Sequence, residues 1–328
     1  MSARSKNAVT DATLLIAAVV LALSASVVKQ SQAQPSSKHS ASASPQTTQT
    51  GFATPQEAAA ALIKAAGDYD LPALKAMFGP DGEDLVSTAD PVQDKNQAAA
   101  FAARAQGKNS MVIDPKNPNH ATLLVGEEEF PLPVPLVKKG TKWYFDSKVG
   151  RDEILYERIG ANELDAIQVC RGFVEAQEEY ASEVHDNSGI NQYAQRTIST
   201  NGKQDGLAWK NSDGSWGGPV SEAVAKAIEQ GYTTSGEPFH GYYFKVLMGQ
   251  GPAAPRGELD YVINGVMIGG FALVAWPAEY KVTGVQTFIV SYGGIVYQKD
   301  LGPDTAKAAA AMERYNPDKT WHRTDDNW

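Results

Sequence analysis

The chain has 328 residues, with 29 Lys and Arg against 38 Asp and Glu, a formal net charge of -9. That balance, without any long basic run, excludes the electrostatic footprint that nucleic acid requires and disfavours adsorption to anionic lipid. A single cysteine, Cys170, excludes an intramolecular disulfide, so an exported fold must stand on its apolar core.

Arg4 and Lys6 precede an apolar run from Leu14 to Leu23, and Ser31-Gln32-Ala33 puts small residues where a signal peptidase needs them. Residues 1–33 are therefore expected to be a signal peptide cut between Ala33 and Gln34. The apolar run is shorter than the roughly 20 residues that span a bilayer, and Ser24 and Ser26 interrupt it. A bacterial lipid anchor needs a cysteine at the cleavage point, and Cys170 lies far downstream. The expected location is the periplasm of a Gram-negative bacterium. The alternative is a protein anchored in the inner membrane by an uncut leader and facing the periplasm. Residues 34–50 are rich in Ser, Gln, Thr and Ala with no aromatic residue, which predicts a disordered linker.

The first folded module is expected over residues 51–150. Thr54, Pro55 and Glu57 form a helix start with a capping box, and Gly67 is the expected stop. Asp70 caps a second helix carrying Leu74, Met77 and Phe78 inward. Gly79-Pro80-Asp81-Gly82 reads as a turn, and a third helix is expected from Val92 to Gln106. Strands are then expected at Met111–Ile113, Thr122–Val125, Val134–Lys138 and Lys142–Phe145, the last pair joined around Lys139-Gly140. Helices followed by a small antiparallel sheet give an α+β layer pair, a layout similar to the nuclear-transport-factor-like folds.

The second module is expected over residues 151–316. A helical stretch from Asp152 to Ile159 leads to Asn162, read as the cap of a long helix from Glu163 to about Val184. Leu164, Ile167, Cys170, Val174 and Ala181 make its inward stripe. A looser region follows, and Ser221 is read as the cap of a short helix ending at Gly231. A β-meander then uses Tyr242–Met248, Gly270–Trp276, Val285–Ser291 and Ile295–Lys299, with a turn at Tyr292-Gly293-Gly294. Pro303 opens a final helix, Asp304–Tyr315, and residues 317–328 form a loose polar tail.

The search for chemistry excludes more than it finds. No histidine pair has the HExxH spacing of a zincin, and no nucleophile elbow or P-loop occurs. Gly249-Gln250-Gly251 matches a relaxed dinucleotide fingerprint, but Pro252 and Pro255 forbid the helix N-terminus that would bind a pyrophosphate. Asn211-Ser212-Asp213-Gly214 lacks the acidic twelfth position of a calcium loop. Cys170, inside a periodic helix, reads as a small buried residue rather than a nucleophile. No cofactor is expected. The candidate site is the set Glu237, His240, Tyr242, Trp276, Glu279 and Tyr280. If the strands bearing them are antiparallel neighbours, His240 and a glutamate could serve as base and orienter, or the aromatics could line a groove. Against both stands the ordinary sheet propensity of aromatic residues.

Phe52-Ala53-Thr54-Pro55, Gly79-Pro80-Asp81-Gly82-Glu83-Asp84-Leu85, the run Gly269 to Tyr280 and Tyr297 to Pro303 resemble the bacterial family called domain of unknown function 2950. That resemblance implies no activity and no site residues. The stretch from Asn162 to Gly302 is also similar to the globular heads of pilin-like proteins, although its helix is amphipathic where a filament spine is apolar. The reading that follows is a non-catalytic periplasmic or envelope module that binds an envelope protein or a small ligand. It is expected to bind no nucleic acid and to have no membrane span once the leader is cut. The alternatives are an exported hydrolase using His240 with a carboxylate, and a purely structural envelope component.

Overall fold

A computed structural model of the chain describes residues 49–325, apart from residue 187 and residues 233–236. The expected leader, its expected cut between Ala33 and Gln34, and the expected linker up to residue 48 lie outside the described residues. The described chain is α+β: helices and several mainly antiparallel sheets, with no closed barrel among the described residues. It divides into two units, one ending at Glu157 and one beginning at Arg158.

The N-terminal unit is built by local signals. Thr54 sits in an extended conformation, and its hydroxyl accepts from the Glu57 amide at 3.1 Å to start α1 (Pro55–Asp68). The Glu57 carboxylate reaches back to the Ala53 amide, one residue beyond the usual capping box. Helix α1 runs through Gly67 and stops at Tyr69, a left-handed cap with φ +51°. Buried Ala65 and Ala66 hold that last turn by packing, which outweighs the ~1 kcal/mol a helical glycine costs. Asp70 caps α2 (Leu71–Phe78) through the Ala73 amide. A 3₁₀ turn (Pro80–Gly82) and a single helical turn, α3 (Glu83–Val86), follow, and Asp90 caps α4 (Pro91–Gly107).

The sheet of this unit comprises β1 (Asn109–Asp114), β2 (Asn117–Val125), β3 (Phe130–Pro131), β4 (Leu136–Lys139) and β5 (Lys142–Phe145). Its order is β1-β2-β4-β5, with β3 paired to β2, and every pairing is antiparallel. Leu62, Leu74, Phe78, Leu123, Leu136 and Phe145 fill the core, with the Phe78 and Phe145 rings 5.3 Å apart. Gln49 and Thr50, placed in the linker by composition, are bonded into this unit. The Gln49 amide donates to the Met77 and Phe145 carbonyls, and the Thr50 amide donates to the Ala76 carbonyl.

Where two helices were expected after Ser147, one forms: α5 (Ser147–Tyr180), 34 residues long, about 51 Å. The boundary between the units falls inside it. Asn162 is an interior residue of α5 rather than a cap. The inward face carries Ala166, Val169, Cys170, Phe173, Ala176 and Tyr180. Leu164, counted in the inward stripe from its spacing, is 63% exposed. Steps of three residues lag the 3.6-residue turn by about 60° each, so a stripe extended backwards in threes rotates off the buried face.

In the C-terminal unit, β6 (Arg196–Ile198) pairs in parallel with β7 (Gly206–Lys210), and β7 pairs antiparallel with β8 (Trp216–Gly217). Ser221 is the first residue of α6 (Ser221–Gln230) rather than its cap, and Gly231 ends it in a left-handed conformation. Next come β9 (Tyr242–Leu247), β10 (Gly249–Gln250), β11 (Leu259–Asp260), β12 (Val262–Ile263), β13 (Val266–Met267), β14 (Ala272–Pro277), β15 (Gln286–Ser291) and β16 (Tyr297–Asp300). The remaining elements are α7 (Thr305–Ala310), β17 (Arg314–Tyr315) and β18 (His322–Arg323).

The main sheet has the order β18-β16-β15-β14-β9, antiparallel throughout. Every residue of its fourth strand, β14, is buried, the pattern of a strand covered on both faces. The final helix ends at Ala310, five residues before its expected end. The Lys245 ammonium takes the Ala310 and Met312 carbonyls there, and the chain turns to pair β17 in parallel with β10. The segment expected as a loose tail adds β18 to the main sheet, with His322 opposite Gln298. Among the described residues no helix is long and apolar enough to cross a membrane.

Burial raises the hydroxyl pKa of Tyr180, Tyr242, Tyr261 and Tyr315, in the last case to about 12. Above the ordinary value of 10.0 the unfolded chain loses these protons first, so stability falls with rising pH from that point. A titration following tyrosinate absorbance and circular dichroism together should show these buried tyrosines ionising only as the chain unfolds. Ionisation of all tyrosines near pH 10 in a chain that stays folded would contradict this packing.

Candidate functional site

His240 and Gly241 are the two central residues of a tight turn that feeds β9. The Phe239 amide donates to the Tyr242 carbonyl at 2.8 Å, and the Tyr242 amide donates back at 3.1 Å. Both central residues have positive φ, +47° and +74°, as a type I′ hairpin turn demands. Histidine tolerates this region better than most residues. Gly241 has no alternative, because a Cβ there would meet the Asn162 amide nitrogen at 2.5 Å.

The His240 ring lies flat on Phe239, with centroids 4.0 Å apart. Its Nδ1 is 2.8 Å from the Asp165 carboxylate. Both side chains keep about a third or less of their surface exposed. This is the geometry of a base with its orienting carboxylate, and Asp165 was absent from the expected set.

Asp165 belongs to a row on α5. Asn162, only 1% exposed, donates from its side chain to the Thr283 carbonyl at 2.9 Å. Glu163 accepts from the consecutive Val285 and Gln286 amides, both at 2.9 Å. The loop that receives these bonds closes on itself, the Glu279 amide donating to the Thr283 hydroxyl and the Thr283 amide to the Glu279 carbonyl. The Ala278 amide donates to the Gly241 carbonyl, which joins this loop to the His240 turn. Asn162, Glu163 and Asp165 thus fasten two connections of the sheet to one helix.

The expected residues divide accordingly. His240, Tyr242 and the loop after Trp276 are brought together. The Tyr242 hydroxyl is spent on the Gln286 carbonyl at 2.9 Å, and its ring is fully buried. Trp276 is opposite Tyr243 in register and packs on its ring at 5.7 Å. Glu279 is exposed and closes its loop through the main chain. Tyr280 turns away, its hydroxyl donating to Asp300 at 3.1 Å. Glu237 is half-buried four residues before Gly241. The signal for Asp165 was present but absorbed elsewhere: Asn162-Glu163-Leu164-Asp165 reads as a cap with first-turn acids, whereas those side chains act laterally.

The remaining sequence signals find structural uses. Gln250 is buried, donates to the Pro255 and Gly257 carbonyls and accepts from the Tyr261 hydroxyl. A Cβ on Gly249 would meet the Arg314 guanidinium at 2.7 Å, so this glycine serves close chain packing. The Asp213 carboxylate accepts from the Ser215 amide and hydroxyl in a surface turn. Burial pushes the Cys170 thiol up to about 12, far from a reactive thiolate. Among the described residues no group of three or more His, Cys, Asp or Glu is placed to hold a metal ion.

Open concave surface occurs in the N-terminal unit. A groove of about 720 Å³ runs between α1 and the start of β1, walled by Gln56, Ala59, Ala60, Ile63, Lys64 and Gly67 on α1 and by Asn109, Ser110 and Met111 on β1. A second hollow of about 540 Å³ lies where Asp84 pairs with Arg151 and Asp81 with Lys148. It is a charged seat that ties the turn after α2 to the start of α5.

If Asn162 fastens the loop, Asn162→Ala should lower unfolding stability by about 1–3 kcal/mol, because it leaves a buried carbonyl unpaired. Asp165→Ala, at a partly exposed pair, should cost about 1 kcal/mol or less. Urea midpoints check both; an unchanged midpoint for Asn162→Ala would refute the fastening role.

No curated protein and no solved structure matches the chain. A family model matches residues 49–324, taking in both units. By that match the chain belongs to the family described as "Protein of unknown function (DUF2950)".

Proposed function

We propose that this chain is an exported, non-catalytic binding module of the bacterial envelope, released into the periplasm by cleavage between Ala33 and Gln34. Export is supported by the basic start at Arg4 and Lys6, the apolar run Leu14 to Leu23 and the small residues Ser31 and Ala33. Binding is supported by one observation above all: the groove beside α1, whose volume of about 720 Å³ lies in the range of ligand sites. It combines apolar Ala59, Ala60, Ile63 and Met111 with the polar groups of Gln56, Gln106, Asn109 and Ser110. The second unit is read as a pilin-like head reused away from a filament. A long helix accompanies an antiparallel meander, and Asn162, Glu163 and Gln177 stand on α5 where a filament spine would be apolar.

The protein recovered from the periplasmic fraction should begin at Gln34, as mass spectrometry of the intact chain will show. Recovery of the full-length chain in the inner-membrane fraction would contradict release and favour the anchored form.

One observation favours a second reading, an exported hydrolase: the 2.8 Å pairing of His240 with Asp165. The binding reading expects no hydrolysis of a nitrophenyl ester above background by either the native chain or His240→Ala. Hydrolysis by the native chain that is lost in a folded His240→Ala variant would establish the enzyme.

A further inference from the structure

Strand β1 ends its sheet, pairing with β2 on one side and, among the described residues, with no strand on the other. A free edge presents unpaired main-chain donors and acceptors, and proteins ordinarily blunt such edges with lysine, proline, shortness or bulges. Edge β1 lacks most of these. It is six residues long, Asn109-Ser110-Met111-Val112-Ile113-Asp114, with no proline and no charge before its last residue. Its only irregularity in register falls at that end, between Ile113 and Asp114. Val112 and Ile113 are 46% and 41% exposed.

The groove lies beside the first half of this strand. Gln56, Ala59, Ala60, Ile63, Lys64 and Gly67 recur at steps of three and four, so a single face of α1 forms its far wall opposite Asn109, Ser110 and Met111. That stripe is about 16 Å long at the helical rise, the length of about five residues in extended conformation. Small residues at Ala59, Ala60 and Gly67 leave space there. Lys64 is paired with Asp68 one turn on, so the wall carries little net charge.

We propose that this edge and groove take up an extended, uncharged segment of a partner polypeptide, which adds as a strand to β1. The proposal rests on the binding reading and names its partner class. The segment's main chain bonds to the free edge. Its alternate side chains, small and apolar, face Ala60, Ile63 and Met111, while Gln56, Gln106 and Ser110 bond the polar groups at its margins.

Random short peptides displayed on phage are selected against the purified chain, and enriched sequences are resynthesised and titrated. The expected binders have apolar residues at alternate positions. Their affinity falls about tenfold or more for Ile63→Glu and Ala60→Arg, each confirmed folded by circular dichroism. It falls likewise when alternate peptide amides are N-methylated, and binding slows hydrogen exchange in β1. Binders indifferent to both variants and to N-methylation would overturn the edge site while leaving the binding reading intact. A failure to enrich any binder would overturn the edge site as well. Self-association of the chain that both variants abolish would make the occupant a second copy and refute the partner segment.

Discussion

The second unit depends on three polar side chains in the middle of α5. A primary amide as buried as that of Asn162 is tolerable only if its hydrogen bonds are met, and the Thr283 carbonyl meets one of them. Glu163 then takes the next free amides of the same loop, and Asp165 takes His240 from the neighbouring turn. With these bonds made sideways, nothing draws Asn162 into a capping conformation, and the helix continues through it. The same contacts set where β9 begins and where β15 begins, so two strands of the main sheet take their starting points from one helical turn.

That arrangement bears on how the histidine is understood. A histidine held by a carboxylate is half of a general-base site, yet the groups around His240 are occupied with holding the chain. Tyr242 spends its hydroxyl on Gln286, Glu279 spends its main chain on Thr283, and Phe239 lies against the ring. A groove with more apolar than polar surface is in the other unit, beside strand β1. Among the described residues, the paired histidine belongs to one unit and this groove to the other.

What could be read from sequence was what is decided locally. Thr54 and Asp70 start helices and Gly231 stops one through bonds within a turn, and the apolar run through β14 announces a strand. What escaped was decided by distant partners. Asn162 became a helix interior because Thr283, more than a hundred residues on, receives its side chain. The last helix stopped at Ala310 because Lys245 takes its carbonyls, and β17 exists because β10 lies beside it. Leu164 was assigned inward by a spacing that drifts around the helix. Within the candidate site His240 was visible as a residue, but its partner was hidden inside a pattern that local rules explain equally well.

The continuity of α5 is the point most directly open to experiment. Amide hydrogen exchange across residues 158–166, followed together with the Val285 and Gln286 amides, measures it. Slow exchange throughout, with the two loop amides losing protection in Glu163→Ala, is the expected result. Rapid exchange confined to Gly160, Ala161 and Asn162, with Val285 and Gln286 unprotected, would mean two helices capped at Asn162 and would remove the lateral bonds on which this description rests.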